Sequence, residues 1–525
     1  MSAPLPATLP LLLDRVAEQL GERALIVDAD RSLTARALRD EARAIAAALI
    51  ADGFEHGGRA VIWAQNRWAW IAAALGVHIA GGAVVPLNTR FKAHEASWIA
   101  ARAGATHAFV ARGFVGCDYA AMLPRADVPT LRRIVSLDGG CDDAESLDAF
   151  VARGASTRAA TLDARAAAVR GDDLSDLIFT SGTTGRPKGV MCTHTQTLRV
   201  FDTWAGTVGL RDDDRYLIVP PFFHTFGYKA GWVACLLRGA TIHPLPVFDV
   251  EAVAVEVTRH QITVMPGPPA LYQSLLAHPR RAEWSLRSLR LAVTGAATVP
   301  VELVHRMHDE LGFETVLTAY GLTESTGVVT MCRRDDSAEV IATTSGRAID
   351  GVEVRLVDEA GHDVSTGQPG EVWVRGYNVM PGYFDDPAAT AEAITPDGWL
   401  RTGDIAVADS AGNLAITDRK KDMFIVGGFN AYPAEIEATL AQHPDVAQVA
   451  VVGMPDDRLG EVGAAFVVLK PGAQANEAAL IAFCRERMAN YKVPRAVWFA
   501  AELPRNASGK VLKFELRERA RTSTR

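Results

Sequence analysis

From Thr34 onward apolar positions recur at helical spacing, with Leu38, Ala42, Ile45 and Leu49 on one stripe and Gly53 closing the run. An alternation follows. Short apolar runs at 60–63, 83–87 and 107–110 predict buried strands, and segments opening at Trp68 and Ala93 predict the helices between them. Such alternation implies parallel βαβ units, a doubly wound α/β sheet with helices on both faces. Further buried strands are predicted at 177–179, 215–219, 291–294 and 316–319, while 155–171 reads as an alanine-rich polar connector. From Gly351 the texture changes to shorter β runs, 352–357 and 371–374, separated by Gly/Pro turns, which predicts a small β subdomain. Runs at 405–408 and 414–417 flank a hairpin turn at 409–413, and the residues beyond Asp422 read as a compact α+β unit.

Composition narrows the class. A chain of 525 residues, 49% apolar and 22% charged, has room for more than one packed core. Its 54 basic and 62 acidic residues give a net charge of −8, and no basic block carries interleaved aromatics, so nucleic acid is not an expected partner. The six cysteines lie far apart without a C-x-x-C, which argues against a zinc site or a disulfide framework and for a reducing, cytoplasmic setting. The N-terminus lacks the positive region of a signal peptide and reads as a surface amphipathic helix. The most apolar window, 69–87, is broken by His78, Gly81, Gly82 and Pro86, so a helix followed by a buried strand is expected there rather than a membrane span. The sequence admits a homodimer without specifying one.

The chemistry concentrates at 176–190, DLIFTSGTTGRPKGV. An apolar run ends at Thr180 and empties into a loop where Gly182, Gly185 and Gly189 free the backbone to form an anion nest. Ser181, Thr183 and Thr184 add hydroxyls, and Lys188 adds a cation. Gly189 follows Lys188, so this is not the P-loop that opens directly into a helix. Downstream, Pro and Phe residues surround His224 in PPFFHTFG, as in a pocket wall, and Gly295, Ala296 and Ala297 leave space for a flat ring after a strand. In YGLTE, the Tyr320 phenol suits stacking on a purine, Thr323 can donate to phosphate, and Glu324 can hold magnesium through hard oxygen.

TSGTTGRPKGV resembles the phosphate-loop signature of the adenylate-forming, AMP-binding superfamily, and YGLTE matches its second signature, so that the resemblance runs along essentially the whole chain. It implies an N-terminal domain over 1–418, with the β subdomain at about 350–418, a hinge at 419–422 and a mobile C-terminal domain over 423–525. It further implies that Thr180, Ser181, Gly182, Thr183, Thr184, Gly185 and Lys188 hold the phosphates of ATP. Gly295, Ala296, Ala297, Tyr320 and Gly321 would line the adenine, and Asp404 and Arg419 would hold the ribose. By the same resemblance His224, Phe226, Tyr228, Val328 and Val329 border the acyl group; Lys229 meets a polar group of the substrate or forms a structural salt bridge. Thr323, Glu324 with Mg²⁺, and Lys510 serve adenylation; Lys421 sits at the hinge, and Gly427 and Gly428 pass the pantetheine arm of coenzyme A.

The implied reaction has two halves: the acid displaces pyrophosphate from ATP, and the CoA thiol then displaces AMP. Within the superfamily FFHTFGYKAG, GPPALYQSLL and AVTGAATVPVELV are similar to actinobacterial ligases of steroid catabolism, which act on a bicyclic diketone propanoate called HIP. Activation of medium- or long-chain fatty acids, or loading of a separate carrier protein, stands as the alternative.

Overall fold

The computed structural model describes residues 4–29, 31–180, 187–295, 299–419, 422–426, 429–456, 459–488, 490–505 and 511–523. The chain divides into two compact units, Met1–Glu353 with Val374–Leu400, and Val354–Trp373 with Arg401–Arg525. The fold is mixed α/β.

In the first unit the helix Ala35–Ala51 starts on Thr34, whose hydroxyl accepts from the Ala37 amide at 3.1 Å. The stripe read from the sequence, Leu38, Ala42, Ile45 and Leu49, is fully buried. The helix Trp68–Ile79 is buried at every position, which is why it is apolar all round. One seven-stranded sheet runs in the order Lys188–Thr193, Leu174–Thr180, Ala83–Pro86, Arg59–Trp63, His107–Val110, Arg133–Ser136, Glu145–Ser146. Neighbours are parallel except the first pair, an antiparallel hairpin. A second sheet places Arg215–Ile218 beside Thr241–Pro244 in parallel. Val264 bridges it in parallel to Leu291–Thr294, which pairs with Thr315–Tyr320.

The expected connector at 155–171 contains a helix, Ala159–Ala168, of which only Leu162 is buried. Alanine, the strongest helix former, supplies there what an apolar stripe does not.

The sheet formed by Val352–Val357, Pro369–Gly376, Leu400–Ala408 and Leu414–Arg419 belongs mostly to the second unit, with Val352, Glu353, 374–376 and Leu400 counted in the first. Its turn is the expected hairpin: Asp409 takes the Asn413 carbonyl through its amide at 3.0 Å, and Gly412 has φ +82°. The remainder is a five-stranded sheet with the helices Pro433–Leu440, Glu477–Arg485 and Lys513–Ser523. Its own core includes Phe424, Ile436, Leu440, Val451, Val467, Leu480 and Leu516. Among the described residues no helix is long and apolar enough to cross a membrane.

Candidate active site

Four strands of the first unit deliver the sequence motifs at their carboxyl ends, where open α/β sheets bind ligands. Leu174–Thr180 leads into the glycine loop, Arg215–Ile218 into the His224 segment, Leu291–Thr294 into Gly295, and Thr315–Tyr320 into Gly321 and Glu324. The strands on either side of the glycine loop form an antiparallel hairpin, with Thr180 and Lys188 as register partners at its mouth. A third segment closes the edge of that hairpin. Met191 donates to the Gly382 carbonyl at 3.1 Å, Phe384 to that of Gly189 at 2.7 Å, and Met380 to that of Glu324 at 2.9 Å.

Those backbone bonds bring four side chains together. Glu324 Oε1 accepts from the Thr180 hydroxyl at 3.3 Å and from the Tyr383 phenol at 3.0 Å. Burial, reinforced by the Glu324 charge, raises the Tyr383 pKa, so the phenol keeps its proton and donates. The Lys188 ammonium lies 5.0 Å from the centroid of the same ring. Among the described residues Glu324 has no cationic partner and Lys188 no carboxylate partner, and both are only half-buried. A carboxylate served by neutral hydroxyls, next to an ammonium that no described carboxylate neutralises, is the donor set that a polyphosphate with a hard divalent ion requires.

The turn after Tyr320 is compressed. A Cβ on Gly321 would meet the Gly327 carbonyl at 2.2 Å, and one on Gly327, at φ +106°, would meet Thr225 at 2.3 Å. These two glycines let the His224 segment pack directly against the Thr323–Ser325 turn. His224 is exposed, and partial desolvation by the protein around it lowers its pKa. Its Nδ1 accepts from the Phe226 amide at 3.2 Å, which leaves the proton of the neutral ring on Nε2. Phe226 is half-buried, and Val328 and Val329 are buried.

Behind this mouth lies a sealed polar cluster. Lys229 and Asp176 pair at 3.0 Å with each side chain 1% exposed. Burial alone would lower the Lys229 pKa, but Asp176 and the Cys192 thiol outweigh it, and the lysine titrates above its ordinary value. Lys229 therefore takes the salt-bridge alternative of the two read from the sequence. Tyr228 is fully buried, stacked on Trp232 with centroids 4.9 Å apart, and its hydroxyl meets His78 Nε2 at 3.1 Å. Burial pushes the His78 pKa down to about 4 and holds His194 well below the usual histidine range.

In the second unit Asp404 and Arg419 are register partners on adjacent antiparallel strands. The two residues assigned to the ribose thus stand side by side. Ser181, Gly182, Thr183, Thr184, Gly185, Ala296, Ala297, Lys421, Gly427, Gly428 and Lys510 lie outside the described residues.

Residues 13–384 match the AMP-binding enzyme family, and residues 435–510 match the AMP-binding enzyme C-terminal domain. The chain belongs to the AMP-binding enzymes. Within them it is 54% identical, over 97% of its length and 98% of the relative's, to a 7a-methyl-1,5-dioxo-octahydro-1H-inden-4-yl propanoyl:CoA ligase of Mycobacterium tuberculosis. It is 51% identical, over 98% of its length and 99% of the relative's, to the ligase of the same name from Rhodococcus jostii. Its fold is similar to the crystal structure of the anthranilate CoA ligase AuaEII in complex with anthranoyl-AMP, with TM-score 0.88, 27% identity and 99% of both chains covered.

Tyr383 is the site residue that reading the sequence missed. It sits in MPGYF, remote from both signatures, and a Pro-Gly turn delivering an aromatic was the sole local signal.

Proposed function

We propose that this AMP-binding enzyme is an acid:CoA ligase that uses ATP to adenylate a carboxylic acid with release of pyrophosphate and then passes the acyl group to CoA with release of AMP. The observation that carries it is the half-open pair at the hairpin mouth, Glu324 held by Thr180 and Tyr383 beside Lys188, which has no carboxylate partner among the described residues. Lys188 neutralises phosphate charge, Tyr320 offers its ring to the adenine, and Thr323 donates to phosphate. Tyr383 and Thr180 hold Glu324 in place for Mg²⁺, which when bound supplies charge stabilisation at the phosphates. His224 and Phe226 border the acid. Asp404, Arg419 and Lys510 keep the ribose and carboxylate roles that the family resemblance assigns. The division 1–418, hinge 419–422 and 423–525 belongs to this reading, with Lys421 absorbing the backbone change between half-reactions. Cytoplasmic residence and a homodimer are its finer expectations.

The acid is HIP, the bicyclic propanoate of the two actinobacterial ligases. Identity above one half over nearly the full chain supports this. Since Asp176 already engages Lys229, a ring ketone would be met by His224 Nε2–H instead. The test is kcat/KM for HIP beside medium-chain acids and palmitate. HIP is expected to be preferred; a larger value for palmitate overturns the assignment. Lys421→Pro is expected to spare pyrophosphate exchange and block thioester formation, and equal loss of both would refute the hinge.

A further inference from the structure

A cluster in the second sheet takes no part in this chemistry. His243, on the strand Thr241–Pro244, is 2% exposed, and neither ring nitrogen has a hydrogen-bond partner among the described residues. A neutral imidazole carries one donor and one acceptor, and leaving such a group buried and unpaired is destabilising. Buried polar groups are otherwise almost always satisfied. The ring faces the helix Val250–His260, which presents Glu256 and His260 one turn apart on the same side. His260 Nε2 stands 3.6 Å from Glu256 Oε2, and the two imidazoles lie 4.9 Å apart between centroids, tilted by 48°. One ligand atom from each of the three residues lies within 4.8 Å of the other two. The neighbouring cation, Arg215, donates to the Gln261 carbonyl at 2.6 Å, at the end of that helix.

Two imidazoles and one carboxylate form a borderline donor set that zinc and its neighbours in the first transition row accept, and that magnesium, with its demand for oxygen, does not. We propose that His243, Glu256 and His260 bind one divalent transition-metal ion of the zinc class, with water completing the tetrahedron, and that the ion fastens the helix Val250–His260 to the strand Thr241–Pro244. The metal satisfies one of the stranded nitrogens of His243. Its effect is on the stability of this layer, and the acid:CoA ligase reaction does not pass through it.

The full chain, stripped with chelator and kept in excess Mg²⁺, is titrated with Co²⁺ while visible ligand-field absorption is recorded. One equivalent is expected to bind with Kd at or below about 10 µM, and Zn²⁺ should displace it. Glu256→Gln and His260→Gln, at half-buried positions that tolerate change, should each weaken binding at least about tenfold. Zn²⁺ should raise the Tm of the parent protein by a few degrees and leave that of His260→Gln unmoved. Absence of a saturable spectrum at that affinity would overturn the proposal. So would affinity unchanged from the parent in both variants, or a thiolate-to-cobalt charge-transfer band, which would place the ion on one of the six cysteines.

Discussion

Asp176 and Thr180 stand on one face of the same strand, four residues apart, yet their surroundings have opposite logic. Asp176 is sealed and matched charge for charge with Lys229. At the other end, Thr180 helps hold a carboxylate, Glu324, that among the described residues has only hydroxyl partners, beside a lysine with no carboxylate partner among them. The buried pair is complete without a ligand; the half-open one is complete only with one. A charge withdrawn from water must find its counter-charge in the protein, because uncompensated burial costs several kcal/mol per ion. A charge left at a mouth can wait for substrate. The strand thus joins a structural anchor to a ligand site within a few residues.

The largest effect is expected from breaking the sealed pair. Asp176→Asn leaves Lys229 buried without a counter-charge and should cost about 3–5 kcal/mol, read as a fall in the denaturation midpoint. Asp176→Leu combined with Lys229→Met should recover much of it. If Asp176→Asn is as stable as the parent, the pair is not the anchor described.

Next comes the mouth. Glu324→Gln should lower pyrophosphate exchange by about 10²-fold or more with little change in Tm, since the side chain is half-buried and its partners are hydroxyls. Tyr383→Phe removes one hydrogen bond that positions Glu324 and should cost about tenfold, with the loss partly offset at high Mg²⁺. A mouth variant that lowers Tm as much as Asp176→Asn would erase the contrast between the two ends.

The last effect is that of pH on the sealed end. Both His78 and His194 titrate lower in the folded protein than when unfolded, so the unfolded chain takes up protons first as pH falls. Their stabilisation is complete above the ordinary histidine value and is lost progressively below it. With His78 at about 4, moving from pH 7 to pH 5 should cost about 2 kcal/mol from that residue. Urea midpoints at the two pH values check this, and His194→Gln should flatten the profile. Equal slopes in the variant and the parent would remove His194 from the account.

Much of this molecule is local information. The stripe Leu38, Ala42, Ile45 and Leu49, the strand at 107–110, the turn at 409–413 and the identities of Lys188, Glu324 and His224 were all legible, because periodicity and short motifs express what a few neighbouring residues must do. The helix at Ala159–Ala168 was not, since propensity rather than a buried stripe makes it. Only the tertiary structure decided which charges meet. Lys229 follows Tyr228 in a segment that reads as a pocket wall, and nothing nearby in the chain shows that Asp176 would close on it. Tyr383 reaches Glu324, and His243 reaches Glu256 and His260, through strand ends and helix faces brought together by the sheets. Burial and electrostatic pairing belong to three-dimensional neighbours. Residue types along the chain set the available chemistry, and the fold determines which groups are spent on stability and which are left for ligands.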